Sequence, residues 1–498
     1  MSQGKTNRAE HIKTVILVVL FFTTILLLYL LWSLDSQSRF HLPDILPQRQ
    51  TLEAPEAESM LIPDQVVYGM GDGSYRQTEA DTRVIFEKAL LTLQTMFGES
   101  GAAVSEITEE QYQDAMGQYR SLAISFAYAI PFGELCGRWE IPQPSGAEVI
   151  QAMNALAFSE AAAQSIFIAD LQDNKYYRLY AQSETDVFAG MTEGEDLSEL
   201  TAYYTVGNIL GGENDWLIPL TAQSSLVPLR WHEESEEASQ NVQQALAEAL
   251  FGENFDFVRR ITDNFGNVTY MYGYGQKTFT HQVDGVLEYK NETLDETAGG
   301  FFRDLETALS FVAAHGTWDS IDGREIRFFL TDVQAVTAGR QEGYRFWFGS
   351  KIMEQPLFYE SGTPIEIEVL DGQISYYRRD VISVLTGSES GAHRPVQDPA
   401  NVIARNYNHI YNVMTGNLLS VNEESAFEYV AGAVREIRMG LVRIANDDWL
   451  QPAWILETSG GHVFYFSLYE AIPIGMNLHD QKPEIFIEPF ETFKHGES

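Results

Sequence analysis

Hydrophobic and polar positions along this chain change rhythm several times, and the first rhythm is the plainest. From Thr14 to Trp32 the sequence reads TVILVVLFFTTILLLYLLW, 19 residues without a charge. As a helix that length crosses a hydrocarbon core of about 30 Å, so the run predicts one membrane span. Residues 33–65 then hold Pro43, Pro47, Pro55 and Pro63 among scattered charges with no sustained apolar period, and read as a stalk.

Beyond residue 65 the pattern alternates between helical and strand periods, which predicts a mixed α+β architecture with antiparallel sheets. TEADTRVIFEKALLTLQTMF predicts a helix whose apolar positions are Val84, Ile85, Leu91, Leu93 and Phe97, with Thr78 and Asp81 as a capping box. A second box, Thr108 to Gln111, opens a short helix. SLAISFAY alternates Leu122, Ile124, Phe126 and Tyr128 with smaller residues, and IFIADLQDNKYYRLYA places two strands around Asp173 and Asn174. The Glu-rich stretch His232–Gln240 marks a boundary before the helix NVQQALAEALFG. VTYMYGY and VDGVLEY follow as strands, then FFRDLETALSFVAAHG as an amphipathic helix, then EIRFFLTDVQAV, GYRFWFGSKIM and IEIEVLDGQISYYRRDVISV as strands. TGSESGAHRPVQDP reads as a linker, ESAFEYVAGAVREIRMG as a helix, and LQPAWILETS with HVFYFSLYEA as a hairpin about Gly460 and Gly461. The division this implies is a tail at 1–13, a span at 14–32, a stalk at 33–65, and α+β domains at 66–231, 232–390 and 391–498.

Charge orients the span. Lys5, Arg8 and Lys13 precede it with only Glu10 opposing them, and an acidic chain follows, so the positive-inside rule puts residues 1–13 in the cytoplasm and everything after Trp32 outside. A cleaved signal peptide is the rival reading. Its apolar region is typically about 7 to 15 residues and ends at an A-x-A-like site, whereas here the flank is SLDSQS. Within the span Ile16, Leu20, Thr23, Leu27 and Leu31 share one helical stripe, with Thr24 beside it, which is the candidate contact for a membrane partner. Both threonines have an ordinary alternative, since such hydroxyls bond back to their own preceding turn.

The whole chain of 498 residues sets 71 acidic against 32 basic residues, a formal charge of −39, which repels phosphate backbones and excludes nucleic acid as a partner. The single cysteine, Cys136, makes an intrachain disulfide and a multi-cysteine metal site impossible. That usage fits a bacterial envelope better than an animal secretory route, which makes the sequons at Asn267 and Asn291 accidental. Gly69, Gly71 and Gly73 lack the spacing of a phosphate-binding loop and predict a turn. The histidines, among them His232, His281, His315, His393 and His462, show no metal-ligand spacing. Ser390 in TGSESG sits in the wrong place for a nucleophile elbow, and Asp319, Asp322 and Gly323 lack the calcium-loop rhythm. No catalytic residue, metal or cofactor is assigned. With so many carboxylates, no spacing singles out a glycosidase pair.

The short basic tail, the anchor EHIKTVILVVLFFTTILLLYLLW and an outer region of three α+β parts together resemble the YycH family. The likeness is densest in RFWFGSKIMEQPLFYESGTPIEIEVLDGQISYYRRDVIS: an aromatic strand with Tyr344, Phe346 and Phe348, a short strand with Pro356 and Leu357, then a turn at Asp371 and Gly372 and a pair, Tyr377 and Arg378. LQPAWIL with HVFYFSLYEA, including Pro452, Ala453 and Trp454, is similar to the ending that family shares with its companion YycI. The resemblance implies a non-enzymatic membrane-anchored regulator of the YycG (WalK) sensor histidine kinase, controlling cell-wall metabolism in Gram-positive bacteria, with a YycI-like companion. The alternative is an anchored envelope-binding or wall-polymer-hydrolysing protein.

Overall fold

The computed structural model describes residues 54–478, except 79–81, 100, 118, 144–145, 182–185, 195, 199, 222–225, 233–235, 295–298, 316–325, 353–354, 381–382, 389–393, 418–421, 445–446 and 448. The expected span with its stripe Ile16, Leu20, Thr23, Thr24, Leu27 and Leu31, the charges Lys5, Arg8 and Lys13, and the segment Trp318–Gly323 therefore lie outside the described residues. Among the described residues no helix is long and apolar enough to cross a membrane.

Two antiparallel-rich sheets organise the described chain. The first holds β1 (Gln65–Met70), β2 (Tyr75–Thr78), β3 (Ala103–Ile107), β4 (Arg120–Pro131), β5 (Ala152–Ser159), β6 (Ser165–Asp170), β7 (Lys175–Tyr180), β8 (Thr201–Thr205) and β9 (Leu217–Pro219), in the order β3-β7-β6-β5-β4-β1-β2-β8-β9. The second begins with β10 (Leu229–His232), β11 (Arg259–Thr262), β12 (Val268–Tyr272), β13 (Lys277–His281), β14 (Leu287–Asn291), β15 (Ile326–Ala338) and β16 (Gln341–Ile352). It continues with β17 (Gln355–Tyr359), β18 (Ile365–Leu370), β19 (Gln373–Arg379), β20 (Ser383–Ser388), β21 (Val434–Arg443), β22 (Trp449–Thr458), β23 (His462–Ser467) and β24 (Pro473–Leu478). Its main path is β11-β12-β13-β14-β19-β18-β16-β17-β21-β22-β10-β20, with β15 on β16 and β23–β24 on β22. Strand pairing thus divides the chain between β9 and β10, and one sheet carries strands from both 232–390 and 391–498.

The helices are α1 (Ala57–Met60), α2 (Thr82–Gly98), α3 (Glu109–Gly117), α4 (Phe132–Arg138), α5 (Val187–Thr192), α6 (Val206–Leu210), α7 (Glu236–Phe251), α8 (Phe301–His315), α9 (Pro399–Met414) and α10 (Glu423–Ala433). In α2 the buried positions Ile85, Phe86, Ala89, Leu90, Leu93, Met96 and Phe97 follow the 3.6-residue period. Val84 and Leu91, expected on that stripe, instead face solvent at 60% and 63% exposure, because each falls on the far side of the same turn. The box on α3 forms reciprocally: Thr108 N–H donates to Gln111 Oε1 at 2.9 Å and Gln111 N–H to Thr108 Oγ1 at 3.2 Å. On β4, Leu122, Ile124, Phe126 and Tyr128 all point into the core as the alternation requires.

Four expectations change. The end of the expected stalk is built into the fold, with Ala57, Met60 and Leu61 buried. α7 starts at Glu236, inside the polar stretch taken as a boundary. Thr386–Ser388, read as linker, belong to β20, which pairs with β10. The helix expected through Gly440 stops at Ala433, and Val434–Arg443 become β21, held antiparallel to β22 and parallel to β17. Pairing on both edges there outweighs the helical propensity of Arg, Glu, Met and Leu.

Candidate functional site

Across β14, β19, β18 and β16 the register sorts side chains onto two faces. The pairs Tyr289↔Tyr377, Tyr377↔Ile367 and Ile367↔Phe346 form one row on the inner face. This row packs on α8, whose Phe301 lies 5.5 Å from the ring of Tyr344 and 6.0 Å from that of Phe346, and whose Phe311 lies 5.2 Å from Tyr377. Each fully buried aromatic or aliphatic side chain there stabilises the layer by about 1.5 to 3 kcal/mol. Phe346, Phe348 and Tyr377 of the resembling segment are thus core residues, and Tyr344 packs half-buried against them.

The alternate positions form the opposite face. Lys290 sits 5.8 Å from the ring of Tyr376, Arg345 sits 5.8 Å from the same ring and 6.0 Å from that of Trp347, so two cations and two aromatics form a continuous ladder. Carboxylates interleave it. Arg345 Nε donates to Glu368 Oε2 at 2.9 Å and Arg345 pairs with Glu366 at 3.3 Å, while Ser375 Oγ donates to Glu368 Oε1 at 2.7 Å and Lys290 pairs with Glu288 at 2.8 Å. Burial pushes the Glu366 carboxyl above the usual carboxylate range, with Arg345 and Arg378 pulling it back, and burial likewise pushes the Tyr376 phenol up. Side chains held this way on a rigid sheet keep their places before any partner arrives, which lowers the ordering cost of association.

The turn that closes β18–β19 fixes one end of this face. Asp371 and Gly372 both have positive φ, +48° and +72°, the requirement of a two-residue type I′ hairpin. Asp371 N–H donates to Glu342 O at 2.9 Å, tying the turn to β16. At the other end Arg443 donates to Asp380 beneath the Trp231 ring, 4.4 Å away, and Arg378 Nη1 donates to Thr363 O at 3.1 Å. Pro356 and Leu357 of β17 pair with Lys351 and Ser350 of β16. Pro452, Ala453 and Trp454 are buried in β22, and Trp454 Nε1 donates to Gln397 O at 2.9 Å, so this motif is structural.

A second cluster joins the first sheet's helices to α8. Glu134 of α4 accepts from Phe301 N–H at 3.0 Å and Phe302 N–H at 3.3 Å, capping α8 from 167 residues away. Arg138 of the same helix donates to Glu58 of α1, pairs with Glu306 of α8 at 2.8 Å, and lies 5.7 Å from the Phe302 ring. Beneath the cap Asp304 is fully buried, and neither of its carboxylate oxygens has a well-formed hydrogen bond among the described residues. Burial pushes it up to about 6; the Gly300 backbone works against that rise, and the neighbouring Glu134 charge adds to it.

Among the described residues no group of three His, Cys, Asp or Glu side chains is arranged to hold a metal ion. Cys136 is buried, and its thiol is pushed up to about 11 by that burial, which makes it unreactive. Gly71 and Gly73 carry positive φ in the β1–β2 turn around Asp72, whose carboxylate accepts from Ser74 N–H at 2.9 Å, as a turn and not a phosphate cradle. Lys290, Arg345, Trp347 and Tyr376 were not singled out in the sequence, although the period-2 pattern of GYRFWFG already sets Arg345 and Trp347 on the face opposite Tyr344, Phe346 and Phe348.

No family model matches this sequence, and no curated protein matches it. Among solved structures the chain is similar to YycH from Bacillus subtilis, with a TM-score of 0.49 at 11% identity, over 84% of this chain and 97% of that one. It is also similar to an uncharacterized protein from Eubacterium rectale, with a TM-score of 0.29 at 13% identity, over 52% of this chain and 82% of that one. At these values the likenesses carry no function across.

Proposed function

We propose that this chain is a non-enzymatic, membrane-anchored regulator of a sensor histidine kinase that controls cell-wall metabolism in a Gram-positive cell. In this reading the span 14–32 anchors it, residues 1–13 are cytoplasmic, and the rest lies outside the membrane. The observation that carries the reading is the sequence pattern shared with the YycH family from Tyr344 to Arg378, together with the charged and aromatic face that the same strands expose. A regulator needs only a contact that differs between the kinase's two signalling states, because a partner shifts an equilibrium by its differential affinity alone.

The contact runs mainly through the stripe Ile16, Leu20, Thr23, Thr24, Leu27 and Leu31, beside the kinase's own membrane helices and a YycI-like companion. Hydrogen bonds between membrane helices are worth about 0.6 kcal/mol on average and at most about 2, so packing along the whole stripe supplies the association. Replacing Thr14–Trp32 by a leucine-alanine span of equal length is expected to keep the protein in membranes yet reduce co-purification with the kinase and change its output. Unchanged binding and output would move the contact to the outer region.

A further inference from the structure

Strand β11 ends the larger sheet's main path and pairs only with β12 among the described residues. Its four residues, Arg259 to Thr262, are all exposed. The direction of its backbone groups follows from the ladder. Asp263 N–H donates to Asn267 O at 3.0 Å, so the Asp263–Asn267 pair just beyond the strand is a hydrogen-bonded one. Bonded and non-bonded pairs alternate in an antiparallel ladder, which makes Ile261↔Thr269 and Arg259↔Met271 the bonded pairs. The N–H and C=O groups of Arg260 and Thr262 therefore point away from β12, onto the open edge.

That edge has an unusual chemistry for a chain with a net charge of −39. Arg259 and Arg260 make no ion pair among the described residues, and neither does Lys277, which pairs with Tyr272 one row beyond the Arg259–Met271 pair. The neighbouring Asp263 makes no ion pair with them, because its carboxylate is turned into the β11–β12 loop, where it accepts from Phe265 N–H at 2.8 Å and Asn267 Nδ2 at 2.8 Å. Apolar groups flank the edge. Phe257 precedes it at 76% exposure, Phe265 follows it at 84%, and Ile261 is half exposed between them. Val283 N–H donates to Asn267 Oδ1 at 3.0 Å, which sets the exposed Val283 beside the Phe265 tip, and Tyr274 stands wholly exposed on the β12–β13 turn with a φ of +59°.

Sheets usually protect an open edge with charge, and two arginines alone would do that. Exposed aromatics at both ends undo the protection and supply anchors instead. We propose that β11 is an acceptor edge for an extended protein segment carrying carboxylates between apolar residues, which adds to the sheet as a further strand. Backbone hydrogen bonds to Arg260 and Thr262 give the segment its hold, and Arg259 and Arg260 select its sign. A second copy of this edge is disfavoured as the occupant, because pairing β11 with itself gathers four arginines and no carboxylate onto one short ladder. The proposal goes beyond the kinase reading and does not rest on it.

The test uses the full chain in detergent and a fluorescently labelled short peptide alternating glutamate with valine, with an alternating lysine-valine peptide as its counterpart. The acidic peptide is expected to bind and the basic one not. Thr262→Pro removes an edge-facing N–H while leaving both arginines and the bonds to β12, and is expected to weaken binding about tenfold, the worth of one backbone hydrogen bond. Thr262→Ala should bind like the parent. The double variant Arg259→Glu, Arg260→Glu should reverse the preference towards the basic peptide, which reads the charge term independently of any effect of proline on folding. Equal binding of the two peptides, no binding of the acidic one, or a folded Thr262→Pro variant that binds like the parent would overturn the proposal.

Discussion

Asp304→Asn isolates a buried carboxyl that is poorly satisfied among the described residues. The carboxyl is fully buried without a well-formed hydrogen bond among the described residues, and burial pushes it up from 3.8 to about 6. A rise of that size corresponds to about 3 kcal/mol of differential interaction between the charged and neutral forms. The sign follows from linkage: a folded-state value above the unfolded one means that the folded chain holds the proton more tightly. The favourable term is complete below about pH 4, declines as the pH rises, and is lost above about pH 6. Asparagine keeps the shape and never ionises. The stability of Asp304→Asn relative to the parent should therefore increase by up to about 3 kcal/mol between pH 4 and pH 7, whatever fixed cost the amide carries. Urea midpoints of both proteins followed by circular dichroism across that range give the difference directly, since all other titrating groups are shared. A difference that stays flat with pH would refute the argument and mean that the carboxyl finds a partner or water in solution.

Glu134→Ala removes the acceptor for Phe301 and Phe302 N–H; it should cost about 1 kcal/mol, as lost helix caps do, and lower the midpoint of the Asp304 titration by withdrawing a neighbouring negative charge, both readable from the same urea series. Asn214→Ala strips the donor that serves Ala431 O and Val434 O, each at 2.7 Å, where α10 gives way to β21. Leaving buried carbonyls unmet costs about 1 to 3 kcal/mol, so the thermal midpoint should fall with the secondary structure intact. Neutral isosteres of the face carboxylates, Glu366→Gln and Glu368→Gln, should leave kinase output within a few fold, because the proposed role needs no proton-transfer pair; abolished output from a folded, membrane-localised variant would favour an enzyme.

Local rules carry far in this chain where they are short-range. Alternation on β4, the reciprocal box on α3 and the Asp371–Gly372 turn depend on residues within a few positions of each other, and the sequence states them openly. Val434–Arg443 shows the opposite case. Its residues suit a helix, Gly432 gives no stop, and only pairing with β17 and β22 makes it a strand. The ladder of Lys290, Tyr376, Arg345 and Trp347 was half legible: the period places each side chain on a face, but strand order alone decides that β14, β19, β18 and β16 stand side by side. Asp304 beneath the Glu134 cap was not legible, since two carboxylates so far apart in sequence meet only through tertiary packing.

The central claim is regulation of a sensor kinase, and reconstitution tests it most directly. The source cell's YycG-type kinase in lipid vesicles, alone or with this full chain inserted in the same orientation, is supplied with labelled ATP and its autophosphorylation rate is followed. The account predicts that the full chain changes the rate, while the version with the leucine-alanine span changes it much less. Identical rates with and without the full chain, in vesicles that demonstrably contain both proteins, would contradict it.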